Sequence, residues 1–335
     1  MSQMKPKEIE LGDISVSKWK YAKKWVYSIT YDEALSELER YVIPHHEKFG
    51  IPGHVEVVAG HIGVVRNIGE SSYNGFHHMS ADELRGLLRL GWGIGCHSWD
   101  HLDVAADPEL ELLKSREVLE EAIGRAVTVY TAPGSNCNLT PYIAKKAKEY
   151  GYLAGMGIFD QLNLADSDTD DIFTLQRPPL HEKFSDLYES AFDPFKRISQ
   201  AKKQNGWVID YLHCPLEKAV HDFKDCTAAH HHERLEAVTH EGKYDCWFAN
   251  PDDAVDYRYM RRFAKLSKTA ANTFAVSLDG LPGRVMNREL TFAVHSPWPV
   301  RAAVNGVLAR VWPLSNGVWA FCSEISDGAT IKIIN

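Results

Sequence analysis

At 335 residues, 44% of them apolar and 24% charged, the chain has the balance of a globular protein with room for one large domain and a small one. A formal net charge of −8 excludes a surface that as a whole attracts nucleic acid or anionic lipid. No stretch reaches the ~18 apolar residues of a membrane span, and residues 1–12 lack the apolar core of a secretory signal, so the chain as written is expected in the cytoplasm, with export after loss of a leader as the alternative.

In chain order, the first apolar run covers residues 25–31 and ends on two adjacent carboxylates, Asp32 and Glu33. A helical period follows over 33–49. Further apolar runs stand at 55–59, 92–96, 127–132, 152–158, 172–175 and 208–212, separated by helical stretches at 81–90, 109–123, 141–150 and 185–204. Ser80 and Glu83 make a capping box ahead of Leu84, Leu87 and Leu88. Strands alternating with helices imply βα units, and seven runs favour a distorted parallel (β/α)7-type barrel over an open sheet. Residues 243–266 read as a short strand, a turn through Asn250-Pro251 and a helix. From Thr273 the texture changes to alternating apolar residues with turn signals at Asp279-Gly280, Asn305-Gly306, Asn316-Gly317 and Asp327-Gly328, the mark of a small antiparallel β module. The expected division is an N-terminal segment over 1–19, an α/β barrel over 20–268 and a β-sandwich-like module over 269–335.

Six cysteines (Cys96, Cys137, Cys214, Cys226, Cys246, Cys322) form no CxxC pair, which argues against a zinc ribbon or a disulfide framework. Sixteen histidines exceed what packing needs. Two of them, His97 and His101, lie four apart in Gly95-Cys96-His97-Ser98-Trp99-Asp100-His101, just after an apolar run. That places them at the C-terminal mouth of a strand, where parallel barrels build their sites, and both imidazoles can reach one metal ion. Asp32 and Glu33 end the first run at the same mouth, where one carboxylate can bind metal and the other take a proton from water, although a helix N-cap would also use them. His213, in Asp210-Tyr211-Leu212-His213-Cys214-Pro215, ends the last run and suits a general acid.

The order of these motifs resembles the polysaccharide deacetylases, carbohydrate esterases that remove N- or O-acetyl groups from chitin-like, peptidoglycan and related glycans. Thr30-Tyr31-Asp32-Glu33 is similar to their first motif, His97 to His101 to the second, Tyr130-Thr131-Ala132-Pro133-Gly134 to the third and Leu212-His213 to the last; the likeness covers about residues 20–262. The resemblance implies an acetylated carbohydrate as substrate and one divalent metal ion, zinc first, with cobalt, nickel or manganese as alternatives. It implies Asp32 as base, Glu33, His97 and His101 as metal ligands, and His213 as acid. It also implies a backbone N–H in the Ala132–Ser135 turn, which holds Pro133 and Gly134, for the oxyanion, and Leu212 beside the acetyl methyl. Two departures stand out. Glu33 replaces an aspartate, and Thr131 replaces the arginine that orients the base, a guanidinium that Arg177 can supply from another loop unless it is an ordinary salt-bridge residue. Within the enzyme class a small cyclic amide is an alternative substrate, and outside it a catalytically inactive glycan-binding relative is the rival.

Other residues have plainer readings. His45-His46 and His230-His231-His232 read as solvated surface, and the acidic stretch 166–171 lacks the glycine and terminal glutamate of an EF-hand. Trp99, Tyr73 and Phe76 can stack on sugar rings. The C-terminal module leaves self-association open.

Overall fold

A computed structural model describes residues 13–159, 161–165, 172–183, 191–315 and 317–334. Residues 1–12, the acidic stretch 166–171, the first part of the helix expected over 185–204 and Asn316 lie outside them. Among the described residues no helix is long and apolar enough to cross a membrane.

The chain divides into two compact units. Trp25–Val255 is one, and the residues up to Lys24 together with Asp256–Asn335 are the other. The boundaries expected at 20 and 268 differ from this division because sheet pairing draws the second unit together. Strand Ile14–Val16 pairs with Glu289–His295, and Lys265–Ala270 pairs with Thr273–Ser277.

Among the described residues of the first unit eight strands run parallel: β1 (Trp25–Asp32), β2 (His54–Val57), β3 (Gly93–Cys96), β4 (Val129–Thr131), β5 (Ala154–Gly157), β6 (Leu175–Gln176), β7 (Gly206–Leu212) and β8 (Cys246–Phe248). Their order is β7-β1-β2-β3-β4-β5-β6, with β8 beside the first half of β1. After β6 the chain returns to β7 through a parallel bridge between Pro179 and Tyr211, so the sheet curls into the nearly closed, distorted barrel expected. Helices cover its outside, and all eight residues of β1 are buried, which is why the strand reads as a continuous apolar run. The helix expected over 33–49 is split into Leu38–Tyr41 and Ile43–Phe49, because Glu33 and Ala34 are left-handed and Pro44 disfavours helical backbone before it. Ser80 and Glu83 make the capping box.

In each of two histidine groups one member is not a surface feature, contrary to the plain reading. His46 is 2% exposed and His231 0%, because the Tyr31 hydroxyl, on the outer face of β1, lies between them at 2.6 Å and 2.7 Å. His46 Nδ1 donates to the Ile51 carbonyl (2.7 Å), so its Nε2 accepts from Tyr31, whose oxygen in turn accepts from His231. Burial pushes His46 down to about 3 and His231 well below its ordinary value, which keeps both neutral in this wire. His230 instead stacks on Phe192 and His232 packs against Phe49, so the three neighbours do not converge.

Inside the barrel His54 lies between two carboxylates, with Nδ1 2.7 Å from Glu56 and Nε2 3.4 Å from Asp252. Burial opposes its charge, but the two carboxylates outweigh that and raise it to about 9. A raised histidine contributes stability that is fully present below its unfolded value near 6.5 and is lost as pH rises through the folded one. Stability against thermal unfolding is therefore expected to fall between pH 6.5 and 9, by on the order of 3 kcal/mol. His54→Gln should flatten that slope; an unchanged slope would show that another group titrates there.

The second unit holds two antiparallel sheets. One runs Ile14–Val16, Glu289–His295, Val318–Glu324, Val311–Ser315; the other runs Lys265–Ala270, Thr273–Ser277, Ala329–Ile334, Arg301–Val304, Val307–Ala309. Asn305-Gly306 makes the hairpin turn its sequence announces, both residues having positive φ.

Candidate active site

The C-terminal ends of β1, β3, β4 and β7 surround a cavity of about 50 Å³ lined by Asp32, Glu33, Arg66, Tyr73, His97, His101, Gly134, Tyr211 and His213, with Lys224 among its remaining walls. Strand alternation explains part of this set. Thr30 and Asp32 face inward while Tyr31 faces the helices, and in β7 Tyr211 lines the cavity while Leu212 takes the other face. Leu212, expected beside an acetyl methyl, is thus replaced in the cavity wall by Tyr211.

Glu33 would point away if β1 simply continued. Its φ of 69° and that of Ala34, 48°, turn the chain so that the carboxylate returns to the cavity. Ser98 (71°) and His101 (65°) do the same for the loop after β3, and the Ser98 hydroxyl accepts from the His101 N–H at 3.0 Å. Four non-glycine residues in this region within one site mark strain held in place by its surroundings.

Each carboxylate has its own arginine. Arg177 is fully buried and grips Asp32 through Nη1 (2.6 Å) and Nη2 (3.2 Å), while Nη1 also reaches Thr30 Oγ1 at 2.9 Å. The loop after β6 thus supplies the guanidinium that Thr131 cannot. Burial opposes the Asp32 charge, but Arg177 outweighs it and holds the carboxyl well below the usual range. Arg66 grips Glu33 through Nε and through Nη2 (2.9 Å), and is itself held by Asn74 Oδ1 at 2.7 Å. Against burial, this pairing brings Glu33 down to about 2. Arg66 carries no sequence signal, since nothing in the loop after β2 marks one polar residue as facing Glu33 from 33 positions away.

His213 is braced from behind. Asp225 Oδ1 accepts the backbone N–H groups of His213 (2.7 Å) and Cys214 (3.2 Å), and Oδ2 accepts from Tyr73 Oη at 2.6 Å. Tyr73, expected from its ring alone as a sugar-stacking aromatic, lies stacked on the His213 ring with centroids 4.7 Å apart. Burial lowers the His213 pKa, but Asp225, with smaller help from Asp32 and Glu33, outweighs it and leaves a net rise. Trp99 is placed elsewhere. Its N–H donates to Glu111 and its indole lies against Gly60, where an added Cβ would come within 2.6 Å of the Trp99 carbonyl oxygen.

His97 Nδ1 lies 3.0 Å from the Thr131 carbonyl, to which it donates, leaving the Nε2 lone pair for the cavity. His101 is driven down to about 3 by burial and by His97, so it offers a neutral imidazole. Nε2 of His97 is 3.9 Å from Asp32 Oδ2, and Nε2 of His101 is 3.9 Å from Glu33 Oε1. Among the described residues no group of three or more His, Cys, Asp or Glu side chains is drawn together closely enough to hold a metal ion as it stands. The donors nevertheless fit one chemically: two imidazoles and an ionised carboxylate, whose oxygens keep one lone pair each beside Arg66. Tetrahedral ligands at about 2.1 Å from an ion stand about 3.4 Å apart, so the 3.9 Å between His101 and Glu33 is about half an ångström too open.

Residues 20–155 match the family model described as polysaccharide deacetylase. No curated protein matches the chain. Among solved structures, the chain is similar to a Mycobacterium smegmatis protein assigned as a polysaccharide deacetylase, with 17% identity and a TM-score of 0.48 over 78% of this chain and 99% of that one. It is also similar to a Bacillus cereus polysaccharide deacetylase, with 11% identity and a TM-score of 0.40 over 68% and 91% of the two chains. A Streptococcus pyogenes deacetylase in complex with acetate has 14% identity and a TM-score of 0.36 over 44% and 62%. The fold stands on the strand order itself.

Proposed function

We propose that this chain, whose residues 20–155 match the polysaccharide deacetylase family model, hydrolyses an acetyl group from a carbohydrate with Asp32 as base and His213 as acid. The observation that carries the reading is the convergence of Asp32, Glu33, His97, His101 and His213 on one cavity, with Asp32 gripped by Arg177. Glu33, His97 and His101 would hold one divalent ion, zinc first. Bound there, it would supply Lewis-acid polarisation of the acetyl carbonyl and acidify a water.

The chain's own groups do the rest. Arg177 keeps Asp32 ionised and fixed, at the expense of its basicity, so Asp32 can take a proton only from an acidified water. Ala132 donates its N–H to Met156, Ser135 donates to Pro133, and Pro133 has none. That leaves the N–H of Gly134, which lines the cavity, as the turn's donor toward a developing oxyanion. His213, raised by Asp225, carries the proton that the departing amine or hydroxyl needs.

Metal content tests the reading. Protein purified without a histidine tag is expected to hold about one equivalent of zinc or another divalent ion, and the His97→Ala, His101→Ala double variant little. A parent that stays empty and refuses zinc, cobalt and nickel would sink the metal-dependent reading and favour a glycan-binding relative.

A further inference from the structure

Below the cavity the barrel interior holds buried titratable side chains that the reaction proposed above does not use. His54 and Glu56 are 0% exposed and Asp252 2%. Glu56 divides its oxygens, Oε1 facing His54 Nδ1 and Oε2 accepting the Thr131 hydroxyl at 2.7 Å. The carbonyl of the same Thr131 is the partner of His97 Nδ1. Two hydrogen bonds through Thr131 thus join a buried carboxylate to an imidazole of the cavity.

Burying such a group is unfavourable for stability alone, since well-packed apolar residues serve as well or better. The neighbouring strand has nevertheless been cleared for it. β3 runs Gly93-Ile94-Gly95-Cys96, and a Cβ on Gly93 or Gly95 would overlap the His54 ring or the Glu56 carboxylate. The strand that delivers His97 has therefore given up its inward side chains to admit the network.

We infer that Glu56, acting through Thr131, is a positioning residue for His97. Its carboxylate anchors the end of β4, so the Thr131 carbonyl stands where it selects the Nδ1–H tautomer and turns Nε2 into the cavity. With both oxygens occupied, Glu56 is not itself a ligand. The inference deepens the reading above, and rests on it for the metal.

Thr131→Val removes the hydroxyl at constant shape, and Thr131→Ser restores it. Zinc titrated into stripped protein is expected to bind the Val variant about 10- to 100-fold more weakly and the Ser variant within about threefold of the parent. Long-range proton–nitrogen NMR of the metal-free protein is expected to show one His97 tautomer in the parent and the Ser variant, and a mixture in the Val variant. A Val variant with a lower melting temperature but unchanged zinc affinity and His97 spectrum would overturn the inference. A parent that binds no zinc defeats the metal reading alone, and the NMR comparison then decides the positioning role by itself. Should the Val variant fail to fold, Glu56→Gln, which can accept from His54 or Thr131 but not both, is expected to give the same two changes; parental behaviour in it overturns the inference equally.

Discussion

Replacing Arg177 by Ala is expected to lower the stability of the barrel by about 3–5 kcal/mol, because it leaves the Asp32 carboxylate buried without its partner. For a unit of this size that is a fall of roughly 10 °C in melting temperature. Acetyl release should drop at least about a hundredfold, since an unpaired Asp32 loses its fixed orientation as well as its ionised state. The sign of the pH dependence is a second readout. A carboxylate held below its usual value contributes stability that is fully present above about pH 4 and is lost as pH falls toward the folded value. In the variant the lone buried carboxyl instead prefers its proton, so the gap between parent and variant should narrow as the pH is lowered from 7 to 4. Arg177→Lys keeps the charge but not the two-pronged grip and should fall between the two. An Ala variant with parental melting temperature and activity would show that the Arg177–Asp32 pair does not hold the site together.

Asp32→Asn separates chemistry from scaffolding. The amide keeps the shape and one acceptor for Arg177 but leaves that buried guanidinium without a counter-charge, so a lower melting temperature is expected. Glu33, His97 and His101 are untouched, and metal uptake is expected to persist. The catalytic rate should fall about 10²- to 10⁴-fold, the usual worth of a positioned base. The comparison to make is kcat on an acetylated sugar against zinc affinity for the same preparation. If zinc binds as in the parent and kcat stays within about tenfold, the proton goes elsewhere and Asp32 is a positioning group.

The legible parts of the molecule were those where local pattern and global role coincide. Strand ends carry active sites in parallel barrels, so Asp32, His97, His101 and His213 were visible as polar residues closing apolar runs. Ser80 and Glu83 announced a helix start because a capping box is local chemistry. The histidines on Ile43–Phe49 and Ala228–Gly242 were misread as surface, because the partner that buries His46 and His231 is Tyr31, at least 15 residues away on a strand. Leu212 was a step off in a strand of period two. Arg66, Asp225 and Glu56 carried no signal, since each acts on a residue that only folding brings near.

The amino-acid order by itself determined the alternation of strands and helices, the barrel it implies, and which strand mouths end in carboxylate and imidazole. Those features depend on spacing and side-chain chemistry within a few residues. Only the tertiary structure decided which arginine serves which carboxylate, that Glu33 turns back into the cavity through left-handed backbone, and that buried titratable groups stand beneath His97. Pairings across 33 to 145 positions depend on where the barrel closes, and no local pattern encodes that.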